Sequence, residues 1–188
     1  MNTSRPASKQ GPKCRKLNSE YIYRVCEIME NPKGKSPKDS AVETRYLLMP
    51  HQANPHGTAF GGAIVAWIDM VAAMVAQRHC GKEVVTAGID SLVFKEPIRI
   101  GDHVVLKASI NYVGRSSMEV GVQVIRENPY GGDKVIATTA HLTFVALDEN
   151  KKPTTAPPIL PETEQEKKRY ENAKLRVKAR KELLKKMN

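Results

Sequence analysis

The sequence is poor in cysteine, with only three among its 188 residues, Cys14, Cys26 and Cys80. No two of them form a C-x-x-C pair, which argues against both a disulfide framework and a zinc ribbon. The first 17 residues hold five Lys or Arg and no apolar run, so they do not resemble a secretory signal. We therefore expect a reducing, cytoplasmic location.

Aromatic residues are also scarce, at 5%, and no RNP-like motif is present, which disfavours nucleic-acid binding. The net charge is +10, but the basic residues concentrate at the two ends of the chain. Residues 1–38 carry +6, residues 39–150 carry −3 and residues 151–188 carry +7. We therefore predict a basic N-terminal extension and linker (1–38), a folded domain (39–150), and a Pro-rich linker with a basic C-terminal helix (151–188).

Several motifs that would indicate a bound group are missing. There is no P-loop and no G-x-G-x-x-G, and serine hydrolases would need a G-x-S-x-G elbow that is absent. His51 and His56 lie close together, but no third ligand stands at a metal-binding spacing, so we predict no metal and no cofactor. The longest apolar run, Ala59 to Ala76, contains a glycine pair and Asp69, which argues against a membrane span.

From Ala41 onward the pattern predicts one long helix and about five strands. Apolar residues recur at helical spacing from Phe60 to Cys80, and alanines make the opposite side apolar too, so we expect this helix to be buried on all sides. Period-two alternation and short connections predict mostly antiparallel strands at Ala41–Met49, Val84–Phe94, His103–Val113, Ser116–Arg126 and Lys134–Leu147.

A helix buried on every side needs a strongly curved sheet around it, because a flat sheet would leave one side wet. This predicts an α+β hotdog fold, in which a curved antiparallel sheet of about five strands wraps one central helix. A C-terminal helix is predicted at Glu162–Met187, opened by a capping box from Thr163 to Glu166 and docked on the body or on a partner subunit. The short amphipathic piece Tyr21–Met29 fits either a helix or an edge strand.

Asp69 is the first candidate for chemistry, because it is a charge in the middle of the apolar helix. Neither Val65 nor Ala73, four residues away on either side, offers a base to pair with it. A carboxylate in apolar surroundings is costly unless it finds a partner. Such a residue either pairs with a hydroxyl or an arginine from another strand or marks a functional site.

Two further candidates lie just before this helix and at its start. Gly61-Gly62 leaves backbone N–H groups uncovered at a helix N-terminus, which suits an oxyanion hole, although glycines there also let a strand pass closely. Asn54 lies in the preceding loop, where its amide could hold a carbonyl or a water, or could simply suit the turn.

Taken together, these residues resemble the hotdog acyl-CoA thioester hydrolases. That family carries a loop of the form Asn-x-x-Gly-x-x-(Phe/His)-Gly-Gly with an Asp seven positions later, and here the loop runs from Asn54 to Gly62 and the Asp is Asp69. The segments 90–94, 97–102 and 113–117 are also similar to the family. Relatives often carry Asp-Thr before the Asn, whereas this chain has Gln52-Ala53, which removes two groups that could brace the loop.

The resemblance implies hydrolysis of acyl-CoA to a free acid and coenzyme A, without any cofactor besides the coenzyme A of the substrate. It implies that Asp69 is the catalytic carboxylate and that Asn54 positions the thioester or water, the two coming from opposite subunits of an obligatory homodimer. Many relatives stack three such dimers into a hexamer. The implied substrate contacts include the residues that match the family's coenzyme A site, Ser91, Arg115, Ser116 and Ser117.

This set of residues is sufficient for thioester hydrolysis, because the thiolate leaves with little acid help. We expect Asp69 to act as general base or nucleophile and the Gly62 amide to hold the oxyanion. We expect Gly61 to contact the substrate and Phe60 to border the acyl slot. The alternatives are a hotdog hydroxyacyl-CoA dehydratase, for which His56 is the only plausible histidine, and a non-catalytic module that binds acyl-CoA or nucleic acid.

Overall fold

The computed structural model describes residues 33–90 and 92–187 of the chain. The predicted piece at Tyr21–Met29, most of the N-terminal extension, and Ser91 lie outside the described residues. None of the helices within the described residues is both long and apolar enough to cross a membrane. All five predicted strands form, and they lie within the predicted domain bounds of 39–150.

One antiparallel sheet contains all five strands, in the order β1-β3-β4-β5-β2. Their bounds are β1 Val42–Leu47, β2 Glu83–Ile89, β3 His103–Val113, β4 Ser117–Glu127 and β5 Lys134–Leu147. The predicted hotdog fold is therefore confirmed, with its curved sheet packed against one long helix. Since β1 and β2 lie at the two edges, each leaves one row of backbone groups without a strand partner in the single chain.

Strand β2 is shorter than predicted, because it ends at Ile89 and not at Phe94. The last described pair of the β2–β5 ladder joins Ile89 to Leu142, and the Asp90 amide donates to the His141 carbonyl at 2.9 Å. Further along, β5 has a bulge at Ala137 in its pairing with β4, and the Ala137 carbonyl accepts a hydrogen bond from the Lys95 amide at 2.8 Å. Lys95 thus lies beside β5 outside the described β2–β5 ladder.

The central helix α2 spans Gly61–Cys80 and ends where Gly81 adopts a left-handed φ of 64°. Its inner face buries apolar side chains against the concave side of the sheet, at about 1.5–3 kcal/mol for each large side chain. The buried set includes Ile64, Trp67, Ile68, Val71 and Val75. The expectation of burial on all sides is wrong for the single chain, because the sheet covers only part of the cylinder and leaves Met70 46% and Met74 47% exposed.

Two more α-helices lie within the described part of the chain. The short helix α1 spans Pro37–Ser40, and the C-terminal helix α3 spans Glu164–Met187 on the outer face of the sheet. The predicted capping box is present: the Glu166 amide donates to Thr163 Oγ1 at 3.2 Å, and Glu166 Oε2 accepts from the amide of Thr163 at 2.9 Å. The guanidinium of Arg176 pairs with the buried carboxylate of Glu119 on β4, which fixes α3 to the body.

Candidate active site

The loop before α2 is closed by the side chain of Asn54. Its Oδ1 accepts hydrogen bonds from the amides of His56 at 2.9 Å and Thr58 at 3.3 Å, while its Nδ2 donates to Thr58 Oγ1 at 2.9 Å. Gln52 adds a second brace by accepting the Met49 amide at 3.1 Å. Asn54 therefore fulfils the turn role considered for it, and Gln52-Ala53 does not leave the loop unsupported.

The glycine pair begins α2, and no side chain caps the first turn. The amides of Gly61 and Gly62 precede the first hydrogen bonds of the helix, which run from Ala63 and Ile64 to the Phe60 carbonyl, and they lie at the positive end of the helix dipole. A side chain at Gly62 would overlap the exposed ring of Phe60, whereas one at Gly61 would only meet the Phe94 ring at 3.5 Å. Gly62 itself stays exposed.

A cavity of about 400 Å³ opens beside this helix start. Asn54 and Thr58 line one side of it, and the other walls are mainly apolar side chains together with Gly61. The apolar set is Ala59, Ile64, Phe94, Pro97 and Ile98. Phe60, which was expected to border an acyl slot, is instead 58% exposed beside Gly62 and does not line this cavity.

Asp69 lies in the third turn of α2 and is half-buried. Its Oδ1 accepts a hydrogen bond at 2.9 Å from the hydroxyl of Thr86 on β2. The sequence analysis anticipated a hydroxyl partner from a strand but did not identify Thr86. The available signal was weak, namely a single hydroxyl in the otherwise apolar run from Val84 to Ala87.

Within one chain, Asp69 and the glycine amides cannot act on the same carbonyl. Seven residues separate Asp69 from Gly62, so they stand roughly 10 Å apart along the helix axis. A reacting atom must lie about 3 Å from both its base and its oxyanion donors. The side chains that flank Asp69 are exposed and apolar, and they include Met70, Met74, Val85 and Ile89.

Of the predicted coenzyme A contacts, Arg115 and Ser116 lie in the turn between β3 and β4, and Ser117 is the first residue of β4. That turn lies beside the C-terminal end of α2, because β4 begins opposite the end of β5, where β2 also starts. The helix is roughly 30 Å long, so these residues are remote from Asn54 in the same chain. Arg115 itself is exposed, as a contact to a large anionic ligand requires.

Among the residues that the structure describes, the other nucleophilic and titratable groups do not build a competing site. Burial raises the pKa of the Cys80 thiol, which keeps this cysteine protonated and unreactive. Among the described residues, no three His, Cys, Asp or Glu side chains cluster in a way that could hold a metal ion. A larger, polar-lined cavity of about 810 Å³ lies between α3 and the outer face of the sheet, and neither Asp69 nor Asn54 lines it.

Comparison with known proteins supplies independent findings. A profile of the Thioesterase superfamily matches residues 56–132. An uncharacterized acyl-CoA thioester hydrolase of Bacillus subtilis is 43% identical over 153 residues, which is 81% of this chain and 89% of that protein. A solved hexameric acyl-CoA thioesterase in its apo form is 39% identical with a TM-score of 0.79, covering 81% of this chain and 97% of that one.

A second solved structure is an acyl-CoA hydrolase of Staphylococcus aureus in complex with butyryl coenzyme A, coenzyme A and coenzyme A disulfide. It is 39% identical to this chain with a TM-score of 0.78, and the match covers 81% of this chain and 93% of that one. It was also solved as three variants with alanine in place of an asparagine, an aspartate and a threonine. In chain order these three positions are 15 and 17 residues apart. Asn54, Asp69 and Thr86 have the same residue types, order and spacing.

Proposed function

This chain belongs to the acyl-CoA thioester hydrolases of the thioesterase superfamily, and from that membership we propose that it hydrolyses acyl-CoA to a carboxylic acid and coenzyme A. The observation that carries the proposal is the triplet Asn54, Asp69 and Thr86. Two of its members are hydrogen-bonded to each other in the structure, and all three match the positions altered in the Staphylococcus aureus hydrolase.

The site is completed by a second copy of the chain. Asp69 is too far from the glycine amides of its own helix, and it lies between exposed apolar side chains on α2 and on the edge strand β2. Such a face is typical of a surface that a partner covers. A homodimer that buries it can bring Asp69 of one copy to Asn54, Gly61 and Gly62 of the other. Assembly of three dimers into a hexamer is part of the proposal, and the hexameric relative supports it.

The chemistry follows from the two ends of this composite site. Thr86 occupies Oδ1 of Asp69, so Oδ2 is free to take a proton from water as the water attacks the thioester carbon. The negative charge moves to the carbonyl oxygen, where the amides of Gly61 and Gly62 at the helix start stabilise it. When the carbonyl re-forms, the C–S bond breaks and coenzyme A leaves as a thiolate, which then takes up a proton.

The acyl group fits the 400 Å³ cavity at the helix start, which is apolar except for its Asn54 side and the flanking Lys95 and Glu96. Asn54 lines this cavity, and its Nδ2 can orient the thioester by exchanging its long 3.4 Å contact with the Ala59 carbonyl for the substrate. Ser91, Arg115, Ser116 and Ser117 remain the proposed contacts to coenzyme A. Phe60 does not line the cavity but remains a proposed substrate contact through its exposed ring. An arginine at that turn suits the phosphate groups of coenzyme A. The cytoplasmic location likewise stays a prediction.

No observation favours the alternative functions. His56, the histidine that a dehydratase would use, is exposed at the tip of the loop, and its amide serves the Asn54 turn. Two of the basic residues on α3, Arg176 and Arg180, are engaged in ion pairs with the body and are not presented as a nucleic-acid surface.

The direct test is release of free thiol from a panel of acyl-CoA substrates by wild type and Asp69→Asn. The variant should fold and assemble normally but lose about 10²–10⁴-fold in kcat, because the amide cannot accept the proton from water. Asp133→Asn is the matched control, since it makes the same change at an exposed position in the β4–β5 connection. Full turnover by Asp69→Asn, or wild type that releases no thiol from any chain length, would contradict the proposal.

A further inference from the structure

We propose that Arg180 on the C-terminal helix α3 is a positioning residue for the acyl-binding cavity and acts on its wall through Asp90. The inference rests on the proposed function for the meaning of the cavity. The contacts that connect Arg180 to the cavity wall do not depend on the proposed function.

The first link is the ion pair between Arg180 and Asp90. The distance from Arg180 Nη1 to Asp90 Oδ1 is 2.6 Å, and the two side chains are only 26% and 24% exposed. A charge-assisted hydrogen bond of this length in a partly desolvated place holds its partners much more firmly than a surface pair does. Asp90 directly follows the last residue of β2, so this contact restrains the chain where regular pairing ends.

The second link is the contact that Asp90 and the segment 92–95 make with β5. The Asp90 amide donates to the carbonyl of His141 at 2.9 Å, and the Lys95 amide donates to that of Ala137 at 2.8 Å. Between these two bonds, the buried hydroxyl of Thr138 donates to the Val93 carbonyl at 2.8 Å. These bonds hold Asp90, Val93 and Lys95 at successive points along β5, so a restraint on Asp90 acts at one end of this attachment.

The third link is Phe94, the side chain that this segment presents to the site. It lines the 400 Å³ cavity and stands across from Gly61, where an added side-chain carbon would lie 3.5 Å from the ring. Its position therefore sets the gap between the segment and the helix start. A shift of the segment would change the width of the space that the acyl group enters.

Helix α3 can restrain Asp90 because the helix is itself attached to the sheet. Arg176, one turn before Arg180, donates from Nη2 to Glu119 Oε1 at 2.6 Å, and the Glu119 side chain is only 1% exposed. Ala173 is fully buried one turn earlier. The helix is thus pinned to the sheet by its middle, and Arg180 extends from that anchor to the end of β2.

The test compares Arg180→Met, Arg180→Lys and Lys178→Met with wild type. Lys178→Met is the matched control, because it removes the same charge from an exposed position two residues away. Arg180→Met should speed amide hydrogen exchange at Asp90 and Lys95 by about tenfold or more. It should also change the ratio of KM for butyryl-CoA to KM for palmitoyl-CoA by about threefold or more, with kcat within about twofold. Arg180→Lys should restore most of both.

The outcomes separate this inference from the proposed function. If wild type hydrolyses no acyl-CoA, the proposed function fails, while the exchange measurement still tests the restraint. If Arg180→Met and Lys178→Met give the same exchange rates and the same KM ratio as wild type, Arg180 is not a positioning residue. If Arg180→Met lowers only the unfolding midpoint, its role is structural and the inference is wrong.

Discussion

At the scale of single residues, the hydroxyl of Thr86 determines how Asp69 is presented. The neighbours of Asp69 one turn away on α2 are Val65 and Ala73, which offer no hydrogen bond. Its described partner comes from β2, where Thr86 donates to Oδ1 at 2.9 Å. This bond orients the carboxylate, as a general base requires.

Replacing Thr86 by valine should lower kcat about tenfold or more with little loss of stability. Valine keeps the branched shape but removes the donor, and hydrogen bonds to charged groups are worth about 1.5–3 kcal/mol. Thr86→Ser retains the hydroxyl and should keep most of the activity. Steady-state kinetics on one acyl-CoA checks both, and a valine variant with the kcat of wild type would show that the hydroxyl has no part in presenting Asp69.

The candidate residues were predictable to different degrees. Asp69 and the glycine pair are conspicuous because a charge and two flexible residues interrupt an apolar helix, and the motif resemblance added Asn54. Thr86 could not be found in this way, because alternation along a strand shows which face a side chain occupies but not which helix residue it meets. That contact depends on the pairing of β2 at the sheet edge and on the rotation of α2.

At the scale of elements, His79 connects three parts of the fold. It is fully buried near the end of α2, where its Nε2 donates to the Pro157 carbonyl at 2.8 Å and its Nδ1 contacts the Ser40 hydroxyl of α1 at 3.4 Å. Burial lowers the pKa of His79 below its usual 6.5. Protonation therefore favours the unfolded chain.

This coupling predicts that stability falls as the pH drops below about 6.5 and continues to fall until the folded-state pKa is reached. In that window the unfolded chain binds more protons, and each such histidine contributes at most about 1.4 kcal/mol per pH unit. His79→Gln should be less stable at pH 8 but should show a shallower decline toward pH 5. Urea unfolding at several pH values checks this. Burial also lowers the pKa of His141, so this histidine keeps its own contribution to the decline in both proteins. An unchanged slope in the variant would contradict the prediction.

The elements themselves followed from periodicity with small errors. Strands β3 and β5 have the predicted bounds, and α3 begins at Glu164, two residues after the predicted start. The end of β2 was missed because Leu92, Val93 and Phe94 are apolar again, whereas the β2–β5 ladder ends at the Ile89–Leu142 pair. A sequence pattern within one strand does not show where the pairing with its neighbour ends.

At the scale of the whole molecule, the proposal of an obligatory dimer is based on the exposed face of α2 and on the position of β2 at the edge of the sheet. Alanines and methionines make α2 apolar around its circumference, yet Met70 and Met74 remain about half exposed in the single chain. Asp69, the proposed catalytic carboxylate, is the neighbour of Met70 on this helix. A second copy would bury the apolar surface and supply the oxyanion donors at the same time, so folding and activity would share one interface.

The central claim is that each active site takes Asp69 from one copy and Asn54 from the other. Mixing the inactive variants Asp69→Asn and Asn54→Ala under conditions that allow subunits to exchange tests it most directly. Half of the dimers would then be hybrids, each with one intact site, so thiol release should recover to about a quarter of the wild-type rate. Confirmed subunit exchange without any recovered thiol release would contradict a site shared between two copies.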